Sequence, residues 1–111
     1  MGRWAQARRR GGGGATTVPL LPPPEEGWWS FEGVTDLADA IWLESGESPG
    51  TRWRIRYRIQ PSVDWIVTIS LPKEEEFEIE QEGVIDCQAQ LLDDEDTPLT
   101  EWSATKTADT T

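Results

Sequence analysis

The chain has 111 residues, a net charge of −11, no histidine and a single cysteine, Cys87. That length bounds the protein to one small domain with an appendage. One cysteine excludes an internal disulfide and fits synthesis inside a cell, and the shortage of His and Cys excludes the common zinc, haem and Cys/His catalytic sites.

Residues 1–24 hold four Arg and no acid, and residues 25–111 hold six Lys or Arg against twenty-one acids, so an arm of charge +4 leads a body of charge −15. Met1–Arg10 is long enough for a helical turn or two, which is marginal in water. Gly11–Gly14 ends any regular structure, and Val18–Pro24 favours extended polyproline II. The arm has almost no core of its own, so it is expected to be disordered when free. The charged N-terminus is followed by glycine rather than by an apolar segment, so no secretory signal is expected. No apolar run approaches the roughly 20 residues of a membrane helix.

Gly27–Gly33 is aromatic and leads into the domain. Trp28 and Trp29 are adjacent, so they cannot share one face of a strand. One is expected in the core and the other against the arm or a neighbour. Asp36–Glu44 fits a short helix through Leu37 and Ile41, or a strand through Ala38, Ala40 and Trp42. The strand, Ala38–Glu44, is favoured because Ser45–Gly50 then makes a loop.

Thr51–Ile59 alternates without a break. Trp53, Ile55, Tyr57 and Ile59 fall on one face of a strand and Arg52, Arg54, Arg56 and Arg58 on the other. Gln60–Asp64 reads as a turn. Trp65–Leu71 is β-branched and aromatic and reads as one strand stopped by Pro72. Glu76–Glu80 points Phe77 and Ile79 inward, and Val84–Leu91 does the same with Ile85, Cys87, Ala89 and Leu91. After an acidic loop, Leu99–Lys106 reads as the last strand and Ala108–Thr111 as a tail. Trp42, Trp53 and Trp65 are expected in the core.

About seven strands within residues 27–111 predict an all-β sandwich, preceded by an arm over residues 1–26. Four stretches carry a family likeness: Ala40-Ile-Trp42, Trp53–Tyr57, Ile85–Ala89 and Thr100-Glu-Trp-Ser103. Together, over residues 27–108, they resemble a fibronectin type III or related immunoglobulin-like domain. The tyrosine corner of that family is absent, since Val84 or Ile85 stands near its place, and another sandwich topology stays open. The layout of Arg-rich segment, Gly tract, prolines and small sandwich resembles accessory virion proteins of tailed bacteriophages, in which the arm anchors and the sandwich projects.

That second resemblance implies a structural virion protein of the head decoration, collar, fibre base or tail. Its partners would be other virion proteins and copies of itself. Arg3, Trp4, Arg8, Arg9, Arg10, Leu20 and Leu21 would dock the arm, with Trp4 as aromatic anchor and the arginines on carboxylates. Trp28, Trp29 and Trp102 are the candidate interface aromatics. The alternative is a module that recognises a glycan or a host protein through loops or exposed tryptophans.

Nucleic acid is disfavoured by the acidic body. The arginines of Thr51–Ile59 could grip an anion, but cross-strand pairing with Asp64 or Asp86, or stacking on Trp102, is the plainer expectation. Asp93–Asp96 and Glu74–Glu76 do not match a calcium loop. No carboxylate shows a tuning partner and no phosphate-binding loop appears, so no catalytic residue, metal, cofactor or small-molecule substrate is expected.

Overall fold

The computed structural model describes residues 19–111. They form eight strands: β1 Trp29–Val34, β2 Leu37–Trp42, β3 Arg52–Ile59, β4 Ile66–Val67, β5 Leu71–Pro72, β6 Phe77–Ile79, β7 Val84–Leu92 and β8 Lys106–Asp109. β1, β2 and β6 make one antiparallel sheet in that order. The other sheet runs β4-β3-β7-β8, with β5 continuing the β4 side of β3. The two sheets pack face to face as an all-β sandwich.

The ambiguous stretch after residue 36 is strand. A hairpin through Thr35 and Asp36 sets its register, pairing Val34 with Leu37 and Trp29 with Trp42. That register turns Ala38, Ala40 and Trp42 inward and leaves Leu37, Asp39 and Ile41 outside. In the facing sheet, β3 contributes Trp53 and Ile55, and β7 contributes Ile85, Cys87, Ala89 and Leu91. Small Ala38, Ala40, Cys87 and Ala89 leave room for three large indoles, which is how a small core reaches interior density. Trp28, Trp42, Trp53 and Phe77 form a chain of ring contacts through the core, at 6.2, 5.6 and 5.2 Å between successive centroids. Such tilted and edge contacts suit the aromatic quadrupole. Burial pushes the Cys87 thiol well above its ordinary range, so it behaves as a core residue.

Two glycines are required where backbones meet. At Gly50 φ is +81°, and a Cβ would collide with the Leu92 carbonyl. At Gly33 a Cβ would lie 2.8 Å from the Asp109 carbonyl oxygen, where β1 closes on β8.

The single strand expected over Trp65–Leu71 is two short ones, and the reason is one inserted residue. Val67 pairs with Arg56 and Leu71 with Trp53, so four positions on the edge strand span three on β3. A bulge of this kind inverts the faces beyond it. Val67 lies outside with Arg56, whereas Leu71 packs on the core beside Trp53. Thr68 mends the break, its hydroxyl accepting from Ile55 N at 3.2 Å and donating to Ile55 O at 3.0 Å. Trp65 therefore stands outside the core in which it was expected. Pro72 is the last residue of β5 and ends the strand as expected, pairing with Arg52 on the edge, where proline is allowed.

The last strand also moves. Regular pairing covers Lys106–Asp109, not Leu99–Lys106. Between the Leu92–Pro98 bridge and the Cys87–Lys106 pair, the seven residues 99–105 stand against just four of β7, residues 88–91. Along this loose stretch two side chains stand in for carbonyls. Thr100 Oγ1 accepts from Leu91 N at 3.1 Å, and Ser103 Oγ accepts from Ala89 N at 2.8 Å. The expected tail is part of the body, with Ala108 in the core and Thr110 fully buried.

Candidate functional site

The outer face of β3 carries the arginine column that alternation predicts. Register places Arg54 opposite Gln90, Arg56 opposite Gln88 and Arg58 opposite Asp86 on β7. Each guanidinium bonds its cross-strand partner. Arg54 Nε and Nη2 donate to Gln90 Oε1 at 3.0 and 2.8 Å, Arg56 Nε to Gln88 Oε1 at 2.7 Å, and Arg58 Nε to Asp86 Oδ2 at 3.0 Å. The glutamines hand the network on. Gln90 Nε2 donates to the Thr100 carbonyl at 2.9 Å, and Gln88 Nε2 to Thr105 Oγ1 at 3.0 Å.

Two indoles complete the face. Trp65 reaches it from just before β4, and Trp102 from the loose segment that precedes β8. Arg58 and Arg56 lie 4.3 and 4.8 Å from the Trp65 ring centre, and Arg56 and Arg54 lie 4.6 and 5.3 Å from that of Trp102. The sequence of contacts is Arg58, Trp65, Arg56, Trp102, Arg54, a ladder in which each ring is shared by two cations. Contacts of this type contribute roughly 0.5–1 kcal/mol each at exposed sites and more where water is excluded. Burial, together with Arg58 beside it, lowers the Arg56 pKa from the ordinary guanidinium range.

The charge on this face is not balanced. Among the described residues only Arg52 and Arg58 have a carboxylate within ion-pair distance, Asp96 at 3.2 Å and Asp86 at 3.0 Å. Arg54 and Arg56 rest on neutral amides, and among the described residues Asp64 takes no part in an ion pair. The body holds only six Lys or Arg. Four of them are in this column, the one cationic stretch of an acidic sandwich.

Neither a protein-family model nor a curated protein sequence matches the chain.

Asp86 anchors one end of the ladder. Burial pushes its carboxyl up. Hydrogen bonds from Thr107, Arg58 and Gln60, with the charge of Arg58, outweigh that and hold it below the usual carboxylate range. A depressed folded pKa gives stability that is complete above the unfolded value, roughly 3.9, and is lost as pH falls through the folded one. Asp86→Asn is therefore expected to cost about 1–3 kcal/mol near neutral pH, where the site loses its charge and one of the two oxygens that accept from Arg58, Gln60 and Thr107 becomes a donor. The penalty should shrink as both proteins are titrated to about pH 2. Urea unfolding at the two pH values measures it, and an equal penalty at both would refute the linkage.

The other sequence candidates are scattered. Trp29 is 1% exposed and belongs to the core, not to an interface, because β1 alternation turns it inward beside Phe31. Trp28 is half-buried on the edge of Trp42 and lines a shallow apolar cleft with Leu21, Pro22 and Pro23. Trp102 is in the ladder, the stacking arrangement named as one possibility. Trp65 is the ladder residue that sequence reasoning missed. Leu20 and Leu21 are 44% and 47% exposed beside Pro98 and Leu99. Arg3, Trp4, Arg8, Arg9 and Arg10 lie outside the described residues.

The acidic loop has structural work. Asp93 Oδ1 accepts from Glu95 N and Thr97 N at 2.8 and 2.9 Å, Asp94 bonds Thr51, and Asp96 bonds Ser70 and pairs with Arg52. A cleft of about 260 Å³ between Pro24, Trp29 and Ser103–Lys106 contains an ammonium, Lys106. Its Nζ is engaged by the Glu26 and Trp29 carbonyls at 2.7 and 2.5 Å.

Proposed function

We propose that the protein is a non-enzymatic structural module, a β-sandwich tethered through its basic N-terminal arm to a larger assembly. The layout favours a tailed-phage particle, with the sandwich as a projecting accessory domain of immunoglobulin-like or fibronectin type III-like kind. The observation that supports this best is how the root of the arm is fixed. Leu21 N donates to Leu99 O at 2.8 Å, Glu101 N donates to Leu21 O at 3.0 Å, and Leu21 forms a parallel bridge with Thr100. Pro24 is buried just beyond. A pull on residues 1–20 would thus be carried by sheet-like hydrogen bonds rather than by a loose linker.

The glycan-binding alternative draws less from the geometry. Sugar recognition wants an open indole face, and the rings of Trp65 and Trp102 already carry guanidiniums. Deleting residues 1–18 is expected to leave a folded sandwich that no longer sediments with the native particle. Equal co-sedimentation of the truncated and full chains would sink the tether.

A further inference from the structure

The outer face of the β1-β2-β6 sheet is the opposite of the ladder. Inward alternation of Trp29, Phe31, Ala38, Ala40, Phe77 and Ile79 sends Glu32, Asp39 and Glu78 outward. Register lines these three up, Glu32 beside Asp39 and Asp39 beside Glu78, in one row across three strands. Like charges directly opposite one another destabilise a sheet. Glu76 adds to the row, and its carboxylate comes within 4.8 Å of those of Asp39 and Glu78. The charge of Asp39, followed by some loss of hydration and by Glu78, raises the pKa of the exposed Glu76. Asp39 Oδ1 is buried and has no hydrogen-bond partner among the described residues. Among those residues no Lys or Arg forms an ion pair with this face.

One sandwich thus carries an unbalanced cationic column on one outer face and an unbalanced anionic row on the other. We propose that copies of this chain associate face to face, the Arg54-Arg56-Arg58 ladder of one against the Glu32-Asp39-Glu78 row of the next. The two charged sets suit one another. Among the described residues the Nη groups of Arg56 and Arg58 make no hydrogen bond, so they have donors left for carboxylates. The column runs along a strand, with roughly 6.6 Å between alternate residues, and the row runs across strands at roughly 4.8 Å. The two sets lie along one line when the facing strands cross near a right angle.

Symmetry follows from sign. Neither face can meet its own copy without setting like charges together, so a two-fold dimer through either is disfavoured. A head-to-tail contact remains, and it closes into a ring or continues as a filament. The inference goes beyond the tether and does not depend on it. The purified chain is measured with no particle present, so a monomer there would overturn this contact and leave the tether untouched.

The test is sedimentation velocity of the full chain over a wide concentration range. The average mass is expected to rise with concentration at low salt. It should fall back toward monomer as the Debye length contracts from about 30 Å at 0.01 M to about 8 Å at 0.15 M. Two double variants reverse one face each: Arg54→Glu with Arg56→Glu, and Glu32→Lys with Glu78→Lys. Each alone should stay monomeric, and an equimolar mixture should regain mass. The ladder variant risks misfolding, so the acidic-face variant decides. It relieves a like-charge row and should melt no lower than wild type while losing association. The proposal is overturned by a monomer under every condition, or by association that survives Glu32→Lys with Glu78→Lys. Association lost on deleting residues 1–18 but indifferent to both charge variants would also overturn it, and would assign the contact to the arm.

Discussion

Trp53→Ala is expected to cost about 3–5 kcal/mol, the range for deleting a buried indole. Trp53 is 0% exposed and stands at the middle of the core. Its ring meets two rings of the facing three-stranded sheet, Trp42 of β2 at 5.6 Å and Phe77 of β6 at 5.2 Å. Its Nε1 donates to the Glu75 carbonyl at 3.1 Å and so holds the turn before β6. Alanine removes both ring contacts and the donor at once. The surrounding residues cannot collapse into the space, because β3 is fixed between β7 and the β4–β5 edge by backbone pairing on both sides. A domain of this size has roughly 5–15 kcal/mol to lose, so the variant should be barely folded or unfolded at room temperature. Trp53→Phe keeps an aromatic edge for Trp42 and Phe77 and should retain part of the difference. Urea unfolding followed by far-ultraviolet circular dichroism measures both. A loss below about 1 kcal/mol for the alanine variant would contradict the central place given to this ring.

Strand β3 was legible because its two faces differ in the strongest way side chains can, apolar against cationic. A one-residue error there would bury a guanidinium. The inner row of β7, Ile85, Cys87, Ala89 and Leu91, was legible for the same reason. Trp65 was not, because parity holds only while a strand is regular. The extra residue between Val67 and Leu71 breaks it, and a bulge leaves no composition signal when its patch is a single threonine. The pairing of Arg54 with Gln90 and Arg56 with Gln88 was equally hidden. It depends on which strand neighbours which and in what register, and neither is written locally. The acidic row has the same origin, since Glu32, Asp39 and Glu78 are distant in the chain and come together only through two registers. The stacking of arginine on Trp102 could be named in advance because alternation alone puts four guanidiniums on one face of β3, and an indole is a ready partner for a guanidinium.

The C-terminal residues read as a tail from composition, and removing them gives the second large effect. A chain ending at Thr107 is expected to lose cooperative unfolding. Ala108 sits opposite Ile85 and fills the core there. Thr110 then ties three segments together. Its amide donates to Gly83 O at 2.9 Å, and its carbonyl accepts from Asp36 N at 2.8 Å in the β1–β2 turn. Its hydroxyl donates to Gln81 O at 2.6 Å and accepts from Gly83 N at 3.0 Å. Cutting after Thr107 removes these hydrogen bonds together with Ala108, uncovers Ile85 and opens the β1 side of the core, where Gly33 packs on the Asp109 carbonyl. Each hydrogen bond lost contributes roughly 0.5–1.5 kcal/mol, and four of them with the apolar contacts of Ala108 amount to a large part of the stability of a small domain. Thr110→Val separates the two contributions. It preserves shape and removes only the hydroxyl, and should cost about 1–3 kcal/mol with cooperativity retained. Thermal melts of the three proteins decide the matter. An unchanged melting temperature for the shortened chain would make these residues a tail after all. A loss for the shortened chain with none for Thr110→Val would place the stabilisation in the backbone and in Ala108 rather than in the hydroxyl.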